Sequence, residues 1–201
     1  VARTQAELKA ALEQDQRPTA LVMTMGALHA GHLSLVERAR RPGHKTVATI
    51  FVNPEQFGPN EDLDAYPRML KDDIEALTEE GVDIIYAPSP EEVYPTAPRV
   101  RLDPGPMGKV LEGHARPGHF SGVLQVVAKM FALINPEVAI FGEKDAQQLA
   151  NIRAMVADLD LGAQIEGAPI VRSAEGLALS SRNAYLSDEE LADASALPAS
   201  L

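Results

Sequence analysis

Three apolar, β-branched runs, separated by amphipathic segments, constrain this chain more than anything else in it. Residues 19–24, 46–52 and 82–86 read as buried strands. Between them, residues 32–41 carry Leu33, Val36 and Ala39 at helical spacing, and residues 68–80 form a helix that Gly81 ends. A βαβαβ alternation needs crossover helices, which cover both faces of a parallel sheet. The expected fold class is therefore α/β, a Rossmann-like parallel sheet with helices on both faces.

The rest of the chain extends that scheme. Thr4-Gln5-Ala6-Glu7 has capping-box spacing and starts a helix running to about Asp15. Residues 119–134 make a long helix stopped by Asn135-Pro136, and residues 138–141 a fourth strand. A helix is expected over 145–158 and short strands at 163–166 and 169–172. Ser187-Asp188-Glu189-Glu190 opens a last helix. Residues 87–118 are rich in Pro and Gly and read as an irregular excursion with a short strand at 99–102.

Length and charge narrow the function classes. With 201 residues the chain can bury one sizeable α/β core. Lys and Arg number 18 against 29 Asp and Glu, a net charge of −11, which argues against a general nucleic-acid binder. A few converging cations can still make a pocket for a small anion. Cysteine is absent, so neither a disulfide framework nor a thiolate metal site is available. No run approaches about 18 apolar residues and no signal-peptide pattern opens the chain. A cytoplasmic protein without membrane or nucleic-acid partners is expected.

Polar motifs stand after the strands, where open α/β sheets bind ligands. His29-Ala30-Gly31-His32 follows the first core strand and opens a helix, a position that points free N–H groups at an anion. Two imidazoles three residues apart could donate to triphosphate oxygens as charge builds in an in-line displacement. A capped helix start with surface histidines, or a pair of metal ligands, are the competing readings. Asn53-Pro54-Glu55-Gln56 follows the second strand and offers amides for a small polar substrate. Gly142-Glu143-Lys144-Asp145 and Gln148 follow the fourth: Lys144 suits phosphate, and Asp145 could accept a ribose hydroxyl. Ser180-Ser181-Arg182 offers hydroxyls and a guanidinium for phosphate, although no P-loop pattern occurs. Arg116 and His119 could hold an anion at the start of the long helix, whereas His44 and His114 read as exposed. The set fits nucleotidyl transfer from ATP without a covalent enzyme intermediate.

Taken in order, 24–32, 50–57, Tyr66-Pro67-Arg68, Arg116-Pro117-Gly118-His119-Phe120, 142–148 and Leu179-Ser180-Ser181-Arg182-Asn183 resemble the motifs of the pantoate–β-alanine ligase family, over residues 19 to 186. H-x-G-H alone extends to the wider nucleotidyltransferase group. The resemblance implies attack of pantoate on the α-phosphate of MgATP, then displacement of AMP by β-alanine. It implies catalytic roles for His29, His32, Lys144, Ser180, Ser181 and Arg182. It implies ATP contacts from Met25, His29, Gly31, His32, Gly142, Lys144, Asp145, Val171 and the Ser-Ser-Arg loop. Met25, Gln56 and Gln148 would hold pantoate.

The expected cofactors are ATP and Mg2+, with no metal ligand assigned, and the expected assembly is a homodimer. The chain departs from the family pattern at Met23, usually Pro, and at Ala146, usually aromatic. Members of the family continue past Leu201 as a smaller domain covering the site. The expected organisation is thus an ATP- and pantoate-binding domain over 1–186, with 187–201 beginning a second domain or its linker. Two other readings stay open: a nucleotidyltransferase acting on a phosphorylated acceptor, and a ligand-binding fragment with little turnover.

Overall fold

The computed structural model describes residues 1–200. Its centre is a five-stranded sheet of β1 (Thr19–Thr24), β2 (Lys45–Ile50), β3 (Ile84–Tyr86), β4 (Val138–Gly142) and β5 (Gln164–Ala168). The strand order is β3-β2-β1-β4-β5 and every pairing is parallel. Thr19 opposes Lys45 in β2, and Ala20 opposes Val138 in β4. The order reverses between β1 and β4, so the two crossovers leave on opposite faces and a crevice opens at the C-terminal ends of those two strands.

Alternation along the strands feeds two cores. On one face Leu21, Val47, Ala139 and Phe141 pack with Leu8 of α1 (Gln5–Gln14), with α6 (His119–Ile134) and with α7 (Ala146–Asp158). On the other, Ala20, Val22, Ala48, Ile50 and Ile140 pack against Leu35, Val36 and Ala39 of α2 (Ala30–Ala39) and Leu77 of α3 (Leu70–Glu79). Each large apolar side chain fully removed from water stabilises the fold by about 1.5–3 kcal/mol. Both sides of the sheet must be covered, which is why all six residues of β2 are buried. Lys45, buried at the start of β2, extends its ammonium to the carbonyls of Leu12 and Asp15 and so satisfies the C-terminal end of α1.

Two strand expectations fail. Residues 99–102 form no strand, because Pro98 and Pro104 bracket them, Val100 is exposed, and Arg101 reaches out to Glu55 instead. Residues 169–172 form none either: β5 runs to Ala168, Pro169 can donate nothing to a ladder, and only Arg172 bridges Ala178 across a turn. The excursion after β3 instead holds two four-residue helices, α4 (Pro90–Val93) and α5 (Glu112–Ala115). Beyond the cleft, Ser187 caps α8 (Asp188–Ala194), followed by α9 (Ala196–Ala199).

Candidate active site

The crevice at the strand reversal is a cleft of about 250 Å³. Every residue to which the family resemblance gives a role lines it. The β1 end contributes Met25, His29, Gly31 and His32, and the turn after β2 contributes Gln56. Gly142, Lys144, Asp145 and Gln148 come from the β4 end, and Val171, Ser180, Ser181 and Arg182 from the loop beyond β5. Met23 lines it too; Ala146 does not and is exposed, so only one of the two departures from the family pattern faces the cleft.

The histidine pair is built by the helix start itself. His29 is the N-cap of α2, and its Nδ1 accepts the Gly31 N–H at 3.1 Å. His32 reciprocates, its Nδ1 accepting the His29 N–H at 3.3 Å. The mutual arrangement is a capping box made from two imidazoles. An Nδ1 that accepts cannot carry a proton, so each neutral ring is the Nε2–H tautomer, a donor. Burial lowers the pKa of His29, with Lys144 adding to the effect. Burial and the neighbouring His29 ring push His32 down to about 4. The ring centroids lie 4.1 Å apart, a separation two imidazolium rings would resist. Gly31 is required by this packing, since a Cβ there would stand 2.8 Å from the His29 ring.

The turn before the pair is also fixed. Gly26 and Ala27 both have positive φ, +83° and +48°. The Ala27 and Leu28 N–H groups donate to the buried Asp73 carboxylate of α3, at 3.0 and 2.8 Å. The Ala27 carbonyl accepts from Ser181 Oγ at 3.0 Å.

Across the cleft the polar groups are held differently. Gln56 Nε2 donates to the Met25 sulfur at 3.2 Å, and its Oε1 accepts from Asn53 Nδ2 at 3.0 Å. Asn53 is itself fixed by the Gly122 carbonyl and the Tyr94 hydroxyl. The Pro54–Gln56 turn lies directly on α6, where a Cβ at Gly122 would come within 2.0 Å of the Glu55 carbonyl oxygen. Lys144 and Asp145 are exposed and pair at 3.2 Å. Arg182 forks onto Asp62 at 2.9 and 2.8 Å and lies over the Tyr66 ring. That pairing holds the Asp62 carboxyl below its ordinary range.

The start of α6 is not a free anion site. Arg116 is taken by Glu61 and Glu112, and His119 Nδ1 meets the Gln56 carbonyl at 2.9 Å. His44, expected to be exposed, is mostly covered and contacts Glu137 at 3.0 Å. Among the described residues no group of three His, Cys, Asp or Glu could hold a metal. Sequence reasoning missed Tyr66, Asp62 and Asp73 as parts of the site. Tyr66 stood within a noticed motif, whereas nothing local marks either aspartate.

A family model described as pantoate-beta-alanine ligase matches residues 1–201. A pantothenate synthetase from Acidothermus cellulolyticus is 56% identical over 201 residues, all of this chain, and the chain spans 66% of that relative, just under two thirds. The crystal structure of pantothenate synthetase from Thermus thermophilus is 51% identical, with a TM-score of 0.94 over 100% of this chain and 72% of that one. A Francisella tularensis pantoate-beta-alanine ligase, complexed with beta-gamma ATP and beta-alanine, is 37% identical, with a TM-score of 0.93 over 98% of this chain and 76% of that one. The chain belongs to the pantoate-beta-alanine ligase family.

Proposed function

We propose that this chain binds ATP and pantoate in the cleft and supports their condensation to pantoyl adenylate, which β-alanine converts to pantothenate. One observation carries the reading: a phosphate-handling set (His29, His32, Lys144, Ser180, Ser181, Arg182) and an amide–thioether set (Gln56, Gln148, Met25) line the same cleft. A pantoate carboxylate oxygen attacks the α-phosphorus, and the bond to the bridging oxygen breaks, so that pyrophosphate leaves. The β-alanine nitrogen then attacks the acyl carbon and loses a proton, and AMP departs. His29 and His32 donate through Nε2–H to oxygens whose charge rises in the first step. Lys144 and the Ser180–Arg182 loop neutralise phosphates, and Gly142, Asp145 and Val171 frame the nucleoside. Gln56 and Gln148 bind the hydroxyls and carboxylate of pantoate, with Met25 against its methyl groups.

Mg2+ enters as part of MgATP. The scattered carboxylates suit a metal carried by phosphate oxygens and water rather than by a protein cage. The phosphorylated-acceptor alternative is disfavoured because the side chains offered to the acceptor, Gln56 and Gln148, are amides, which suit a carboxylate and hydroxyls better than a second phosphate. Residues 1–186 act as the binding domain, since the sheet ends at Ala168 and the lining at Arg182, and Ser187 starts a separately capped helix. Pairing of two copies is favoured by the exposed Met107, Val110 and Leu111, and dependence on ATP favours the cytoplasm. No helix among the described residues is long and apolar enough to cross a membrane. Pantoate-dependent exchange of labelled pyrophosphate into ATP tests the reaction. Exchange is expected with pantoate and not without it; exchange that ignores pantoate sinks the proposal.

A further inference from the structure

Asp73 is a buried charge with no place in the chemistry above. It sits in the first turn of α3, and only 3% of its surface is exposed. Its two oxygens divide two main-chain donors between them, Oδ2 taking the Ala27 N–H and Oδ1 the Leu28 N–H. Successive N–H groups in a turn with positive φ make a small anion-binding concavity, and here a carboxylate from the protein fills it. The start of α3 adds a favourable field. Gly26 completes the fit, because a Cβ at that position would lie 2.8 Å from Asp73 Oδ2.

The braced peptide has two further connections. Forward along the chain, Leu28 leads directly into the His29 cap of α2. Sideways, the Ala27 carbonyl accepts the Ser181 hydroxyl at 3.0 Å. One peptide therefore sets the β1 end of the cleft and anchors the loop that carries Ser180 and Arg182, across 154 positions of sequence. We propose that Asp73 is a positioning residue, which fixes the Gly26–Leu28 turn and through it holds the histidine pair and the Ser181 loop in register. The functional part of this statement rests on the ligase reading; the geometric part does not.

Asparagine separates charge and acceptor capacity from volume. Its amide can accept one of the two N–H groups but turns a donor toward the other, so one contact is lost. Gly26→Ala attacks the same contact from the turn, and it carries the test should Asp73→Asn fail to fold. Glu75→Gln, an exposed charge change on the same helix, is the control.

Without ligand, Asp73→Asn and Gly26→Ala should raise amide exchange at Ala27 and Leu28 by at least roughly tenfold. Both should shift the imidazole nitrogen resonances of His29 and His32 while leaving those of His44 and His114 in place. With ATP and pantoate, pyrophosphate exchange should fall by roughly 10–100-fold while ATP affinity changes less than about threefold, since small misplacement acts on the reacting geometry. Glu75→Gln should change none of these. Unmoved histidine resonances and unchanged amide exchange in a folded Asp73→Asn or Gly26→Ala overturn the proposal. A parent chain that ignores ATP overturns the ligase reading instead, and the resonances then decide the role of Asp73 by themselves.

Discussion

The two sides of the cleft are held by different physics. On the β1 side the two imidazoles are tied to backbone: they cap a helix and cap each other, and the turn before them is closed on a buried carboxylate. On the far side Lys144 and Arg182 carry full charges, lie partly in water, and are occupied by Asp145 and Asp62. Neutral donors that are already aimed cost little reorganisation at the moment charge develops. Charged ends that must trade one anion for another suit capture and release. The β1 side is therefore expected to govern rate, and the rim to govern affinity for phosphate and its dependence on salt.

The largest effect should come from the aimed donors. His32→Ala, or His29→Asn, which keeps a capping side chain, should lower adenylate formation by roughly 10²–10³ with a weaker effect on ATP affinity. Single-turnover measurement of pyrophosphate release checks this, and a loss confined to affinity would reverse the assignment of the two sides. Next comes the amide wall. Gly122→Ala forces a Cβ against the Pro54–Gln56 turn and should cost about 1–3 kcal/mol in stability. Direct removal of an amide by Gln56→Ala should cost about 1–3 kcal/mol in pantoate binding. Calorimetric titration of both variants would show whether this wall acts on pantoate alone, as expected, or on ATP as well.

Acid should act on the β1 side before the rim. His32 is depressed from its ordinary 6.5 to about 4, so between those values the unfolded chain binds a proton that the folded chain refuses. The stability contributed by the neutral ring is complete above pH 6.5 and drains away as pH falls toward 4. Melting temperature should decline across that window in the parent and decline less in His32→Gln; equal slopes would mean the ring titrates as if exposed. The smallest change belongs to the rim. Arg182 and Asp62 side chains are 42% and 26% exposed, a setting in which an ion pair contributes about 0–1 kcal/mol. Asp62→Asn should free the guanidinium and tighten ATP binding by roughly two- to fivefold at low salt, shrinking as salt rises.

The alternation of strands and helices, both sheet faces and the cleft were legible in the sequence because periodicity and strand-end motifs are local signals. β1, α6 and β4 appear within a residue of their expected bounds. Failures occurred where a partner decides. Residues 99–102 and 169–172 have strand-like composition but find no neighbouring edge, and Pro169 removes the donor that a ladder needs. Asp73 looks like any acid in a first helical turn; only the approach of β1 to α3 makes it a brace. Arg116 and His119 carried the chemistry of an anion site, yet Glu61, Glu112 and the Gln56 carbonyl had already claimed them.

The imidazole capping box ties two properties to one set of atoms. An apolar substitution at position 29 or 32 removes a helix cap and a donor together, so such an inherited change cannot exchange a little stability for a different activity. At Arg182 the same exchange is open, since Asp62 and the loop can be altered one at a time. Drift within such a lineage is accordingly channelled toward the rim, and new phosphate preferences should arise there while the histidine turn stands still.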